Sequence, residues 1–186
     1  LGSNCGVNDN IAVCKANELC NALGMDAISA GASIAFAMEC FANGLLSTDD
    51  TGGLEYRWGD GDLLVRSVEM IAHREGLGDV LAEGVPRMSK KYGPETELSD
   101  TTVKGQELPM HEPRLKHALG IGYAVAPVGA DHQMNLHDTA FSRPGDNIDR
   151  VNEAQPADEQ IQPQSPYEVD ENKMMVMRQI LIMIVW

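Results

Sequence analysis

His132 has the most chemically suggestive surroundings in this chain. It stands in the run APVGADHQMNLHD, residues 126–138, with Asp131 beside it and Gly129 three positions before it. A loop imidazole can donate or accept a proton near neutral pH, and glycine allows a bound group to approach the backbone closely. His132, His137 and Asp138 also have the residue types of a metal site, but His-x4-His-Asp is a weak spacing for one, and no metal ligand is assigned. Of the other histidines, His73 sits in a helical pattern beside Arg74 and reads as a surface or interhelix residue. His111 and His117, close to Glu112 and Arg114, read more readily as structural hydrogen-bonding groups than as catalytic ones.

A second candidate is the joint NALGMDAISAG, residues 21–31, with Asn21 before Gly24 and Asp26 after it. Gly24 supplies the left-handed residue that ends one helix before another begins. Residue types leave open whether the joint also binds a ligand. Other chemistries find little support. There is no G-x-S-x-G elbow, GDGDLL is not a phosphate loop, and GIGYAV lacks the third glycine of a dinucleotide fingerprint. None of the four cysteines forms a CxxC pair or a zinc or iron–sulfur run, and Cys14 and Cys20 read as small core residues of a helix. Reduced thiols are the default expectation.

The elements that must position these residues are helical. Ala12, Ala16, Leu19, Cys20 and Leu23 make one apolar stripe of a helix over 9–23, with Asn8 or Asp9 as its cap. SAGASIAFAMECFA is apolar on most faces, so the helix over 27–42 should be buried between others. It is too short and too interrupted to read as a membrane span. A third helix over 61–74 is capped by Asp60 and closed by Gly76. A fourth covers 79–92, with Pro86 forcing a kink or break. The fold class is therefore mainly α, a helical bundle-like array.

The net charge of −14 carries no nucleic-acid footprint and disfavours an anionic membrane. LGSNCGVNDN has neither a basic-then-apolar leader nor an initiator methionine, so the chain is expected to begin inside a larger protein. The apolar ending ILIMIVW would normally lead into more core.

Five segments in order carry a resemblance: LGSNCGVND, KANELCNALGMDAISAGASIAFAMECF, LEYRWGDGDLLVRSVEMIAHREGLGDVLAEGV, VKGQELPMHEPR and GIGYAVAPVGADH. Together they resemble the carboxyl-terminal helical region of the tungsten-containing aldehyde:ferredoxin oxidoreductases, densely over 1–142 and more loosely over SPYEVDENKMMVMRQ. The resemblance implies the helical domains 2 and 3 of that family. Residues 1–93 would be a domain 2-like portion, and 94–142 a domain 3-like portion of loops and short helices with the histidine loop. Residues 143–166 would be an acidic, proline-containing linker or surface excursion, and 167–186 a truncated final helix.

The same resemblance implies an enzyme that oxidises aldehydes to carboxylic acids and passes electrons through a [4Fe–4S] cluster to ferredoxin. Its metal is tungsten, sometimes molybdenum, held by the dithiolenes of two molybdopterin-type pterins. It also implies a cytoplasmic, anaerobic setting and a possible homodimer or redox subunit. The family's pterin motif Asp-x-x-Gly-Leu-Asp reads here as Asn21-Ala-Leu-Gly24-Met25-Asp26, in which Gly24 and Asp26 match and Asn21 and Met25 depart conservatively. His132 corresponds to the family histidine that positions the aldehyde or moves a proton. Val128 stands where arginine is common and Met134 where a basic residue can lie, which removes the usual basis for phosphate contacts from this loop. The cluster ligands are expected outside the chain: three cysteines and an active-site glutamate before Leu1, and a fourth cysteine in a second pterin motif past Trp186. On this reading the isolated chain is an inactive fragment, binding neither cluster nor tungstopterin stably. The alternative is a non-catalytic helical partner or scaffold module derived from the same family.

Overall fold

Asp9, Asp26 and Asp60 each precede an apolar-periodic run, and each starts a helix in the computed structural model, which describes residues 1–185. Each carboxylate accepts backbone N–H groups that have no partner inside the first turn. Asp9 accepts from Ile11 and Ala12 at 2.8 and 3.2 Å, starting α1 (Asn10–Ala22). Asp26 accepts from Ile28 at 2.8 Å and starts α2 (Ala27–Ala42). Asp60 accepts from Leu63 at 2.8 Å and starts α3 (Gly61–His73). Helix α3 ends at Arg74, itself left-handed at φ 54°, rather than at the expected Gly76.

The chain forms two compact units, Leu1–Leu108 and the residues from Pro109 onward, so the expected boundary at residue 93 falls inside the first unit. In the first unit α2 is central, with every residue from Ala30 to Met38 buried, as its all-round apolarity requires. It packs against α1, α3, α4 (Leu77–Leu81) and α5 (Val85–Tyr92). The stripe of α1 is narrower than expected. Ala12, Ala16 and Cys20 are buried, while Leu23 is exposed and Cys14 faces solvent rather than the core.

The single helix expected over 79–92 is two, α4 and α5, because Pro86 sits in the first turn of a new helix. Gly84 offers no capping side chain. The cap comes instead from Glu107, whose carboxylate accepts Val85 N–H at 3.0 Å. Glu107 is delivered by an unexpected antiparallel hairpin, β1 (Thr102–Val103) and β2 (Gln106–Glu107), turned by Lys104 and Gly105 at φ 53° and 85°.

The second unit holds α6 (His117–Val125), α7 (Asp146–Glu153) and α8 (Glu171–Val185). Trp186, the last residue of the expected final helix, lies outside the described residues. Ala118, Leu136, Phe141, Ile148, Val151, Ile161 and Val176 form the core of this unit. The polar segment 143–166 contributes Ile148, Val151 and Ile161 to this core, while most of its other residues are exposed. Asn152 closes the loop that follows α7 by donating to the Ile161 carbonyl at 3.0 Å and accepting its N–H at 2.8 Å.

At the centre of the second unit lies a fully buried ion pair, Lys173 Nζ to Asp138 at 2.6 Å. Asp138 also accepts Ala118 and Leu119 N–H at 3.1 and 3.2 Å, compensating the first turn of α6. Lys173 also donates to the Ser165 and Pro166 carbonyls at 2.9 and 3.2 Å. Asp138 is therefore a structural anchor, not a companion of His132 and His137 in a metal site.

Candidate functional site

The joint between α1 and α2 is built almost wholly from its own residues. Gly24 lies at φ 69°, the left-handed region that an L side chain rarely adopts. That turn lets Met25 N–H reach the Cys20 carbonyl at 2.8 Å and Gly24 N–H reach the Asn21 carbonyl at 3.4 Å, a Schellman closure of α1. A side chain added at Gly24 would meet nothing within 4 Å, so open space lies beside the backbone there.

Met25 and Asp26 line a cleft of about 320 Å³ in the first unit, together with Leu23, Ser29, Ser33 and Arg74. Asp26 is exposed. One of its oxygens caps α2, and the other accepts Ser29 Oγ–H at 3.3 Å. Ser29 also reaches the buried Glu107 at 2.9 Å. Across the cleft, Arg74 pairs with Asp79 at 2.8 Å and with Glu83 at 2.7 Å. The wall therefore offers the Asp26 carboxylate and the Ser29 and Ser33 hydroxyls, and Asn21 and Gly24 stand outside its lining, in the turn that leads into it. Such a set can match a flat heterocycle that presents both N–H groups and ring acceptors. It contains no thiolate and no imidazole.

His132 belongs to the second unit, in a loop folded by local hydrogen bonds. Asp131 accepts Gln133 N–H at 2.8 Å and Met134 N–H at 3.4 Å, an Asx-type turn. Asn135 donates from its side chain back to the Asp131 carbonyl. That amide lies over Gly122, where an added Cβ would fall 2.2 Å from Asn135 Oδ1. Gly122 of GIGYAV is therefore needed for close packing rather than for a nucleotide. Val128 and Met134 are exposed.

Three imidazoles and one ammonium meet at this loop. The rings of His111 and His132 stack with centroids 4.8 Å apart. His137 stands edge-on to His111 at 4.5 Å and 6.0 Å from His132. Lys116 Nζ lies 3.4 Å from His111 Nδ1 and 3.3 Å from His137 Nδ1. All four residues are half-buried. Burial first, then the neighbouring His137, Lys116 and His132, lowers the His111 pKa below the ordinary histidine range.

Among the described residues, no group of three or more His, Cys, Asp or Glu side chains is arranged to hold a metal ion. Cys5, Cys20 and Cys40 are buried, and burial raises the thiol pKa of Cys5 and of Cys40 to about 11. Such thiols are poor ligands for an exposed cluster. His73 is exposed, and His117 packs edge-on to Tyr167 at 6.2 Å.

The sequence singled out Asn21, Gly24, Met25, Asp26 and His132, but not Ser29 at the cleft, its partner Glu107, or Lys116 at the histidine loop. Ser29 carried a usable signal, since it follows the cap Asp26 by three residues. Glu107 carried none, because it reaches Ser29 from 78 positions away.

The family model described as aldehyde ferredoxin oxidoreductase, domains 2 and 3, matches residues 1–185. The chain is 43% identical over 136 residues to the tungsten-containing aldehyde ferredoxin oxidoreductase of Pyrococcus furiosus, covering 73% of this chain and 22% of that protein. The corresponding protein of Thermococcus kodakarensis is 42% identical over 137 residues, again 73% of this chain and 22% of the relative. A Pyrococcus furiosus protein named aliphatic sulfonate oxidoreductase, WOR-like subunit, is 33% identical over 139 residues, 71% of this chain and 22% of the relative. The chain thus spans roughly a fifth of the length of the curated relatives it matches. With mainly helical architecture throughout and a match that runs nearly end to end, the chain belongs to the aldehyde ferredoxin oxidoreductase family, in the region of its domains 2 and 3.

Proposed function

We propose that this chain is the helical part of a tungstopterin oxidoreductase that converts aldehydes to carboxylic acids. The observation that carries the reading is the α1–α2 joint. Asn21-x-x-Gly24-Met25-Asp26 combines a Schellman turn, open space at Gly24 and a cleft whose polar groups suit a pterin edge. The relatives at 42% and 43% identity are named for aldehydes and tungsten, whereas the one at 33% is named for aliphatic sulfonates. The nearer likeness supports the aldehyde as substrate class.

When bound, the tungstopterin supplies the two-electron redox chemistry of the aldehyde carbon. The residues of this chain bind and orient. Asp26 accepts N–H groups of the pterin with the lone pairs that the helix cap leaves over, Asn21 offers both donor and acceptor, and the Gly24 backbone admits the ring. His132 handles the proton. With the Gln133 amide nitrogen donating to its Nε2 at 3.0 Å, the ring proton sits on Nδ1. A neutral imidazole in that state can orient a carbonyl oxygen or take up a proton.

Electrons would leave through a [4Fe–4S] cluster to ferredoxin. Among the described residues no group of three or more His, Cys, Asp or Glu could hold a metal ion, so the cluster ligands are proposed to come from elsewhere in the whole protein. The isolated chain is accordingly proposed to be inactive and to act in the cytoplasm as part of a larger or dimeric assembly. No helix among the described residues is long and apolar enough to cross a membrane. A second reading, a non-catalytic helical partner, draws on the relative that is itself named a subunit.

The test is purification of the whole protein from cells grown with tungstate. Metal content, the fluorescence of oxidised pterin and aldehyde-dependent dye reduction are then measured. Asp26→Ala should lose pterin and tungsten together. His132→Gln should keep both and lose at least tenfold in turnover, within the range for one proton-transferring group. Unchanged pterin content in Asp26→Ala and unchanged turnover in His132→Gln would sink the assignment.

A further inference from the structure

We propose that Lys116 is a positioning residue for His132. Its ammonium donates to Nδ1 of both His111 and His137, and so fixes the imidazole that holds the His132 backbone and the imidazole that stacks on the His132 ring. The proposal rests on the reading of His132 as the proton-handling group, but its geometry stands independently.

The hydrogen-bond chemistry settles which nitrogens carry protons. His137 Nε2 lies 2.9 Å from the His132 carbonyl oxygen, which can only accept, so Nε2 bears the hydrogen. In the neutral ring Nδ1 is then a bare acceptor, and Lys116 Nζ, a pure donor, lies 3.3 Å away. His111 Nδ1 receives the same ammonium at 3.4 Å, which leaves its proton on Nε2 as well. One lysine thus selects the tautomer of His111 and reinforces the one that the His132 carbonyl imposes on His137. A protonated His111 or His137 could not accept from Lys116 and would set two positive charges side by side. The clamp therefore works only while both rings are neutral.

The groups facing this cluster fit that state. His111 faces Lys116, His132 and His137, with Tyr123 Oη–H donating to the His111 carbonyl at 3.4 Å. Glu112, the adjacent acid, is engaged by Arg114 at 2.8 Å. Asp131 turns its carboxylate to the Gln133 and Met134 amides. The consequence is that residues 109–116 hold the His132 loop through side chains rather than through a backbone ladder. The loop should loosen when the cluster charges.

The test is long-range proton–nitrogen correlation NMR on the full chain with 15N-labelled histidine, read without cofactor. At pH 7.5 the wild type should show protonated Nε2 and bare Nδ1 for His111 and His137. Lys116→Met should release the His111 tautomer, shift the His132 ring signals and move the His111 titration midpoint upward, while His137 keeps its Nε2–H on the His132 carbonyl. Lys116→Gln, a neutral donor, should retain the tautomers while still raising that midpoint. A simple packing role would not separate these two variants. Protonated Nδ1 on His111 or His137 in the wild type would overturn the proposal, as would Lys116→Met leaving the His132 signals in place. Should both variants unfold the second unit, the wild-type tautomers alone decide. Because the readout needs no turnover, loss of the catalytic reading through His132→Gln and loss of the clamp are separate results.

Discussion

The α1–α2 joint and the histidine loop place their candidate groups in two different ways. At the joint, the cap, the left-handed turn and the Schellman bonds all lie between Cys20 and Ser29, and Glu107 and the far wall around Arg74 arrive from a distance. At the loop, His132 is held by residues from three stretches of chain. Lys116 and His111 precede α6, Gly122 lies within it and His137 follows the loop. The first construction is cheap to form and leaves its carboxylate exposed. The second depends on the packing of its whole unit, which lets imidazoles be desolvated and held in chosen tautomers. A binding contact needs only presentation, whereas a proton-handling group needs its protonation state set as well.

Substitutions should separate the two regions. The largest effect is expected for Asp138→Ala, which leaves Lys173 buried and unpaired and strips the first turn of α6. A loss of about 3–5 kcal/mol is the usual consequence of breaking a buried pair. Hydrogen exchange read unit by unit should show it from residue 109 onward, with α1 and α2 unaffected. Equal loss of protection in both units would show that the effect of the pair does not belong to the second unit alone.

Gly122→Ala comes next. Its Cβ would overlap the Asn135 side chain, so a penalty of about 1–3 kcal/mol is expected, with the His132 loop displaced. Chemical shifts of His132 that stay fixed in this variant would show the loop to be self-supporting.

Gly24→Ala meets no steric neighbour and suffers only the left-handed backbone, about 1 kcal/mol in denaturant titration. A larger loss would mean that the joint, too, relies on distant packing. Asp26→Asn should be nearly silent in stability, because asparagine also caps helices, while it weakens pterin retention in the whole protein. This variant therefore separates binding from folding at the joint.

The smallest effect is the response to pH. The folded-state pKa of His111 lies below its unfolded value, so the unfolded chain binds the proton more readily. The contribution of His111 to stability is fully present above the unfolded value. It falls as the pH drops through the ordinary histidine range towards the folded pKa. Exchange of the Gln133 and Met134 amides should quicken below about pH 6.5 beyond the intrinsic rate, while that of Ile28 does not. The same acceleration at Ile28 would show that the effect does not belong to the histidine cluster.

Much of this was written locally. Aspartates ahead of apolar runs mark the starts of α1, α2 and α3, and uniform apolarity marks α2 as the buried helix of its unit. Gly24 marks the joint, because a left-handed residue at a helix end is a local requirement that glycine meets best. The motif around it needed no tertiary information to be read as a candidate site.

Tertiary structure decided the rest. Pro86 allowed either a kink or a break, and it became a break because Glu107 was at hand to cap α5. Most of the acidic segment 143–166 is exposed, but which of its residues join the core, Ile148, Val151 and Ile161 beside Val176 of α8, was not legible in its composition. Asp138 could have joined a metal site by its spacing, but Lys173 lies 35 residues away and claims it. His111 and Lys116 carry no local pattern that points to His132. Periodicity and capping act within a turn or two of chain, so sequence reports them. Burial, charge pairing and tautomer choice depend on which distant groups share a volume, and only the folded chain determines that.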